Sequence, residues 1–84
     1  MYEYLIKEYI EQLKLKDIKE FAKNNGINLT NEETTIIYDY LKNHWRTIYY
    51  GNPKPILEEL KERLNSQTYT KLENLYIYFK NKIS

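Results

Sequence analysis

The sequence predicts an all-α fold, a compact bundle of about five helices packed around a long central third helix. Apolar residues recur at three- and four-residue spacings along the chain, which is the period of amphipathic helices. The two glycines and two prolines all fall where a helix is predicted to end or begin. Because the joints are short and no internal repeat occurs, residues 1–84 are expected to form a single helical domain.

The first two helices are predicted over residues 1–14 and 17–25. The apolar face of the first consists of Tyr2, Leu5, Ile6, Tyr9, Ile10 and Leu13, with charged residues opposite. The inward face of the second consists of Ile18, Phe21, Ala22 and Asn25. Gly26 is expected at the left-handed position that closes this helix, and Ile27 is expected to fold back against its last turn.

The central helix is predicted over residues 30–51. Thr30 and Glu33 have the spacing of a capping box, in which each side chain accepts a hydrogen bond from the other residue's backbone N–H. Ile37 and Leu41 are expected to be buried, and Gly51 is expected to end the helix in the left-handed conformation before Pro53. One side of the helix is predicted to carry Ile36, Ile37, Tyr40, Leu41, His44 and Ile48. Residues 47–50 either continue the helix or are extended, since β-branched and aromatic residues favour strands.

Two further helices follow. The fourth is predicted over residues 53–64, after an N-cap at Asn52, because proline is favoured in a first turn. Its inward residues are Ile56, Leu57, Leu60 and Leu64. The fifth begins after a cap at Asn65 or Ser66 and runs to about Lys82. Its buried face is predicted to contain Tyr69, Leu72, Leu75, Tyr76, Phe79 and Ile83.

Composition argues against several functional classes. The chain has no cysteine, and its one histidine, His44, has no carboxylate three or four residues away, so no metal or nucleophilic site is predicted. No glycine-rich phosphate loop occurs, and neither a catalytic residue nor a cofactor is expected. Thirteen basic and twelve acidic residues produce no net field that would attract nucleic acid or a membrane. We therefore expect a cytoplasmic protein that is not an enzyme, and the excess of Lys, Asn, Ile and Tyr favours a low-GC bacterial source.

Some aromatic residues remain after the predicted core is assigned. Tyr38, Trp45 and Tyr49 form one strip along the third helix, which is either covered within the chain or open to a partner. Burial of Trp45 within the chain is the favoured outcome. Tyr4, Ile77 and Tyr78 also point away from the predicted core. Exposed aromatic residues are typical of protein interfaces, so the leading hypothesis is a small accessory or regulatory protein that binds an unidentified protein or its own copy.

A nucleic-acid-binding accessory protein is the alternative. Lys16, Lys19 and Lys23 form a basic stripe on the second helix, and the third helix follows after Gly26. Residues 15–41 thereby resemble the helix-loop-helix of SAP-type DNA-binding modules. Asp17 and Glu20 interrupt the stripe, and it contains no arginine to grip a phosphate, so this alternative is less favoured.

A second resemblance covers most of the chain. The residues that carry it are Asp17, Ile18, Phe21, Ala22, Gly26, Ile27, Leu29, Thr30, Glu33, Ile37 and Leu41, continued by Gly51, Asn52, Pro53, Leu57, Tyr69 and Leu72. In this pattern the chain resembles the YqfT-like family, short proteins of low-GC Gram-positive bacteria with a domain of unknown function. The resemblance implies a cytosolic all-helical protein and carries over no catalytic or binding residue.

Overall fold

The computed structural model describes residues 2–83, with side chains except at positions 2, 79, 80, 82 and 83. Five α-helices occur in this part of the chain, and no strand does. They are α1 (Tyr2–Gln12), α2 (Leu15–Asn24), α3 (Asn31–Tyr50), α4 (Lys54–Arg63) and α5 (Ser66–Ile83). The predicted all-α fold is confirmed, and residues 47–50 are helical rather than extended.

The long helix α3 is central. It packs against α1, α2 and α4, while α5 packs against α4. The Cα radius of gyration is 12.3 Å, close to the roughly 12 Å that a compact domain of this length has. Ile10 of α1 packs against the core from one side. Among the described residues, the buried core itself consists of side chains from α2 to α5 and from the joints between helices: Leu13, Ile18, Ala22, Ile27, Leu29, Ile36, Ile37, Tyr40, Ile56, Leu64 and Tyr69.

The start of α3 has the predicted capping box. The Glu33 N–H donates to Thr30 Oγ1 at 3.0 Å, and the Thr30 N–H donates to Glu33 Oε1 at 3.1 Å. The second oxygen of the buried Glu33 carboxylate accepts the N–H of Asn65 at 3.2 Å. Asn65 is also the cap of α5, since its Oδ1 accepts the N–H of Gln67 at 2.9 Å. One carboxylate therefore joins the N-terminal ends of α3 and α5.

These hydrogen bonds control the ionisation of Glu33. Burial on its own raises the pKa, because a carboxylate loses hydration. The backbone N–H groups of Thr30 and Asn65 and the hydroxyls of Thr30 and Thr68 act in the opposite direction, and together they lower the pKa below its ordinary value. Glu33 is therefore ionised at neutral pH.

The end of α2 also has the geometry that the sequence predicts. Gly26 has a φ of 78°, the left-handed conformation that glycine adopts without steric cost. The Gly26 N–H donates to the Lys23 carbonyl at 3.1 Å, and the Ile27 N–H donates to the Ala22 carbonyl at 2.8 Å. This pair of bonds is a Schellman motif, and the buried Ile27 supplies its apolar contact.

The prediction for Gly51 was wrong. Gly51 has a φ of −101° and a ψ of −154°, so it ends α3 in an extended conformation. Its N–H donates to the Thr47 carbonyl at 3.0 Å, which completes the last turn. Every residue type can adopt an extended backbone, so the conformation at position 51 does not require glycine.

Several expected burials also differ. Leu5, Tyr9 and Phe21 were assigned to core faces and are exposed. Within the described part of the chain α1 packs against α3 alone, so part of its apolar face, with Leu5 and Tyr9, turns away from α3. Phe21 of α2 is likewise left at the surface. Asn25 and His44 are exposed as well, and Leu41 is half-buried against the core. The predictions for Met1 and for the side chains of Tyr2, Phe79 and Ile83 lie outside the described residues.

Candidate interaction surface

The aromatic strip of α3 is covered at its centre. Trp45 is 8% exposed, and the Arg46 guanidinium lies 4.6 Å from its ring centroid. Tyr38 is half-buried against the core, and the Lys42 ammonium lies 5.2 Å from its ring. Only Tyr49, at the end of the strip, is exposed. The expectation that Trp45 is buried within the chain is thus confirmed, and the strip is not an open patch.

The other three candidates are exposed. Tyr4 lies on α1, and its hydroxyl donates to Glu8 Oε1 at 3.2 Å one turn later. Ile77 and Tyr78 lie on α5, where both are about half exposed. Their assignment as partner contacts stays a prediction.

Polar contacts hold α1 in place on α3. Glu3 Oε1 lies 3.0 Å from Arg46 Nε, and the Glu11 carbonyl accepts from Lys42 Nζ at 2.8 Å. Glu3 precedes Glu11 on α1, whereas its partner Arg46 follows Lys42 on α3, so the two helices run antiparallel. Partial burial, followed by the negative charge of Glu3, raises the pKa of Tyr50. The exposed end of α3 therefore lies beside the beginning of α1.

A cleft between α1 and α2 is the feature that sequence reasoning missed. Its volume is about 390 Å³. The described residues that line it are Tyr9, Gln12, Leu13, Asp17, Glu20, Phe21 and Asn24. In the described chain only two residues separate α1 from α2, and the two helices do not pack against each other, so apolar surface is left between them. The short joint is the feature of the sequence that could have predicted this cleft. Two helices joined by so few residues are restricted in how they can both turn their apolar faces onto α3.

The acidic and basic side chains of α2 lie on different faces of the helix. Asp17 and Glu20 point into the cleft, whereas Lys16, Lys19 and Lys23 occupy the neighbouring solvent face. Lys19 Nζ donates to Asn31 Oδ1 at 2.6 Å, which ties α2 to the start of α3.

The cleft carboxylates differ in what they do within the fold. Asp17 Oδ2 accepts the Lys14 N–H at 3.0 Å, so this carboxylate already stabilises the start of α2. Glu20 is exposed and lies further along the same wall of the cleft. The predicted basic stripe thus exists, and an acidic face lies beside it on the same helix.

The described residues contain no cluster of three or more histidine, aspartate or glutamate side chains placed to hold a metal ion. Among the same residues, no helix has both the length and the apolar content needed to cross a membrane. Comparison with protein-family models, curated proteins and solved structures finds no match to this chain. The YqfT-like resemblance and the roles of the candidate residues therefore stay predictions.

Proposed function

We propose that this chain is a small non-catalytic accessory or regulatory protein of the cytoplasm that binds another protein through exposed apolar side chains. The observation that carries the proposal is the outer surface of α1. Tyr4, Leu5 and Tyr9 are 64%, 57% and 66% exposed within one and a half turns of helix. Three large apolar side chains so close together favour an interface, because a partner would remove them from water.

The charge balance supports a protein partner over nucleic acid. The net charge is +1, so the protein as a whole has little long-range attraction for phosphate. Nucleic acid binding through Lys16, Lys19 and Lys23 is the second candidate, favoured by their exposure on one face of α2. The carboxylates of the adjacent cleft face weaken the positive potential of that helix.

Site-specific photo-crosslinking tests the proposal. A photoreactive phenylalanine analogue placed at Tyr4 or Tyr9 is expected to form a covalent adduct with another protein when the variants are exposed to extract of the source cell. The same analogue at Glu62, an exposed position on α4, is the matched control. A shared adduct from all three positions, or none from α1, would contradict the proposal.

The second candidate has a different signature. Binding to phosphates releases counterions, so retention on immobilised DNA or RNA would weaken steeply with salt. We expect no retention at physiological ionic strength. Salt-dependent retention that is lost in a Lys16→Ser/Lys19→Ser/Lys23→Ser variant would replace the first candidate by the second.

A further inference from the structure

We propose that the cleft between α1 and α2 receives a cationic amphipathic helix of the partner protein, with an apolar anchor inside the cleft and lysine or arginine at its rim. The inference rests on the proposed function, because it specifies the chemistry of the protein that binds. It is carried by three features of the cleft: the apolar residues in its lining, its size and the sign of its charges.

The apolar part of the cleft has a floor and two walls. Leu13 is buried at the floor, 9% exposed, where α1 ends. The walls are formed by Tyr9 of α1 and Phe21 of α2, which are 66% and 47% exposed. An aliphatic or aromatic side chain that contacts these three residues would be partly removed from water, which is how anchor residues contribute to binding.

The size of the cleft suits an anchor rather than a whole cofactor. Its volume of about 390 Å³ lies near the lower end of the range for ligand pockets. Leu5 lies one turn before Tyr9 on α1 and is exposed, so the apolar surface extends beyond the cleft along the helix. A partner helix presents apolar side chains three and four residues apart, which matches such an extended apolar surface.

The charge of the cleft selects a cationic partner. Asp17 and Glu20 are the ionisable groups among the described lining residues apart from the Tyr9 phenol, and no basic residue is included there. Gln12 and Asn24 add neutral amides that donate and accept hydrogen bonds. Opposite charge at the rim directs the approach of a partner and disfavours an acidic helix or a nucleic acid strand in the same place.

Titration of the ¹⁵N-labelled protein with a defined peptide tests this inference. The probe is a helix of about 14 residues, four turns, built from leucine and lysine at amphipathic spacing. Its matched control replaces each lysine by glutamate. We expect the basic peptide to shift the amide resonances of Tyr9, Gln12, Phe21 and Asn24, and we expect the acidic peptide to leave them unchanged.

Two charge-reversal variants make the test specific. Glu20→Lys is expected to weaken binding of the basic peptide at least about fivefold, since a like charge then faces the peptide at the rim. Glu62→Lys makes the same change in net charge on α4 and is expected to bind as the parent does. Equal weakening by both variants, equal binding of both peptides, or shifts centred elsewhere would overturn the assignment.

Self-association is a separate outcome of the same samples. The Lys16, Lys19 and Lys23 face of a second copy has the opposite charge to the cleft, so a copy in the cleft would shift the cleft resonances with protein concentration alone. That result would overturn the proposal that a separate protein supplies the helix in the cleft.

If the basic peptide does not bind while crosslinking from Tyr4 or Tyr9 still captures a protein, the cleft assignment fails and the proposed function stands. If the peptide binds the cleft while no crosslinked protein is found, the proposed function fails, and the partner helix that rests on it fails as well.

Discussion

Glu33 accepts hydrogen bonds at the beginnings of two helices that are far apart in the sequence. Its contact with Thr30 could be predicted, because a capping box is a local spacing of residue types. Its contact with Asn65 could not be predicted, because the two residues are brought together only by the packing of the helices. The sequence therefore predicted that Glu33 caps α3, but it did not predict that Glu33 also binds the beginning of α5.

Replacement of Glu33 by glutamine should destabilise the protein at neutral pH. We expect a loss of roughly 1–3 kcal/mol in the free energy of unfolding, because a buried carboxylate with several hydrogen bonds is replaced by an amide that satisfies fewer donors. The exposed neighbour provides a control: Glu32→Gln should change stability by less than about 0.5 kcal/mol. Urea denaturation at pH 7 measures both, and equal effects would contradict the role assigned to Glu33.

The same carboxylate predicts a pH dependence. Its pKa in the folded state lies below the ordinary value of 4.5, so the unfolded state binds more protons in the interval between the two. The stabilisation is fully present above the unfolded-state pKa and is lost as the pH falls through the folded-state pKa. The stability difference between the parent and Glu33→Gln should therefore shrink below about pH 4.5. A constant difference down to pH 2.5, about two units lower, would contradict the lowered pKa.

The helix ends differ in how well the sequence predicted them. Gly26 and Ile27 form a local signal with a fixed geometry, and the structure confirms it. Gly51 is also a glycine directly after a helix, here followed by Pro53, yet its backbone is extended. Glycine is compatible with both conformations, so residue type alone could not distinguish the two ends.

Alanine substitutions at the two glycines should differ accordingly. Gly26→Ala should cost about 1 kcal/mol or more, because the left-handed conformation is strained for a residue with a Cβ atom. At Gly51 no such strain arises, although a Cβ would lie 3.2 Å from the Thr47 carbonyl oxygen and the helix end would have to adjust slightly. We expect the smaller loss at Gly51, measured as the shift in urea midpoint. A larger loss at Gly51 would show that its close contact outweighs the strain at Gly26.

The loss of stability caused by substitutions in the centre of α3 should increase with the burial of the replaced side chain. Ile37 is 9% exposed within the core, so Ile37→Ala should lower stability by roughly 2–4 kcal/mol. Leu41 is half-buried, so Leu41→Ala should cost roughly 1–2 kcal/mol, since less apolar area returns to water. Thermal unfolding of the two variants gives the comparison. The reverse order, with Leu41→Ala the more costly, would contradict the deeper burial of Ile37.

For the whole molecule, the number and order of the helices could be predicted because each helix has its own apolar period and its own end signals. The exposure of Leu5, Tyr9 and Phe21 could not be predicted, because it depends on the angle at which α1 and α2 leave their short joint. The cleft arises at that joint, so it was missed together with those side chains. Sequence periodicity finds apolar faces, but it does not say how many neighbours are available to cover them.

Trp45 gives a direct check on the assembled fold. Its burial predicts a blue-shifted fluorescence and little quenching by iodide, in a sample that light scattering shows to be monomeric. A monomer with strongly quenched Trp45 would contradict the burial of this side chain within the chain.

Binding through the exposed apolar surface of α1 is tested most directly by retention of an interacting protein on two matched variants. The first, Tyr4→Ser/Tyr9→Ser, removes aromatic rings and leaves the charge unchanged. The second, Lys16→Ser/Lys19→Ser, alters the same number of exposed residues on α2. With the tagged proteins held at equal concentration in extract of the source cell, we expect the first to lose the protein that the parent retains and the second to keep it. Retention by the first variant together with loss by the second would contradict binding through α1.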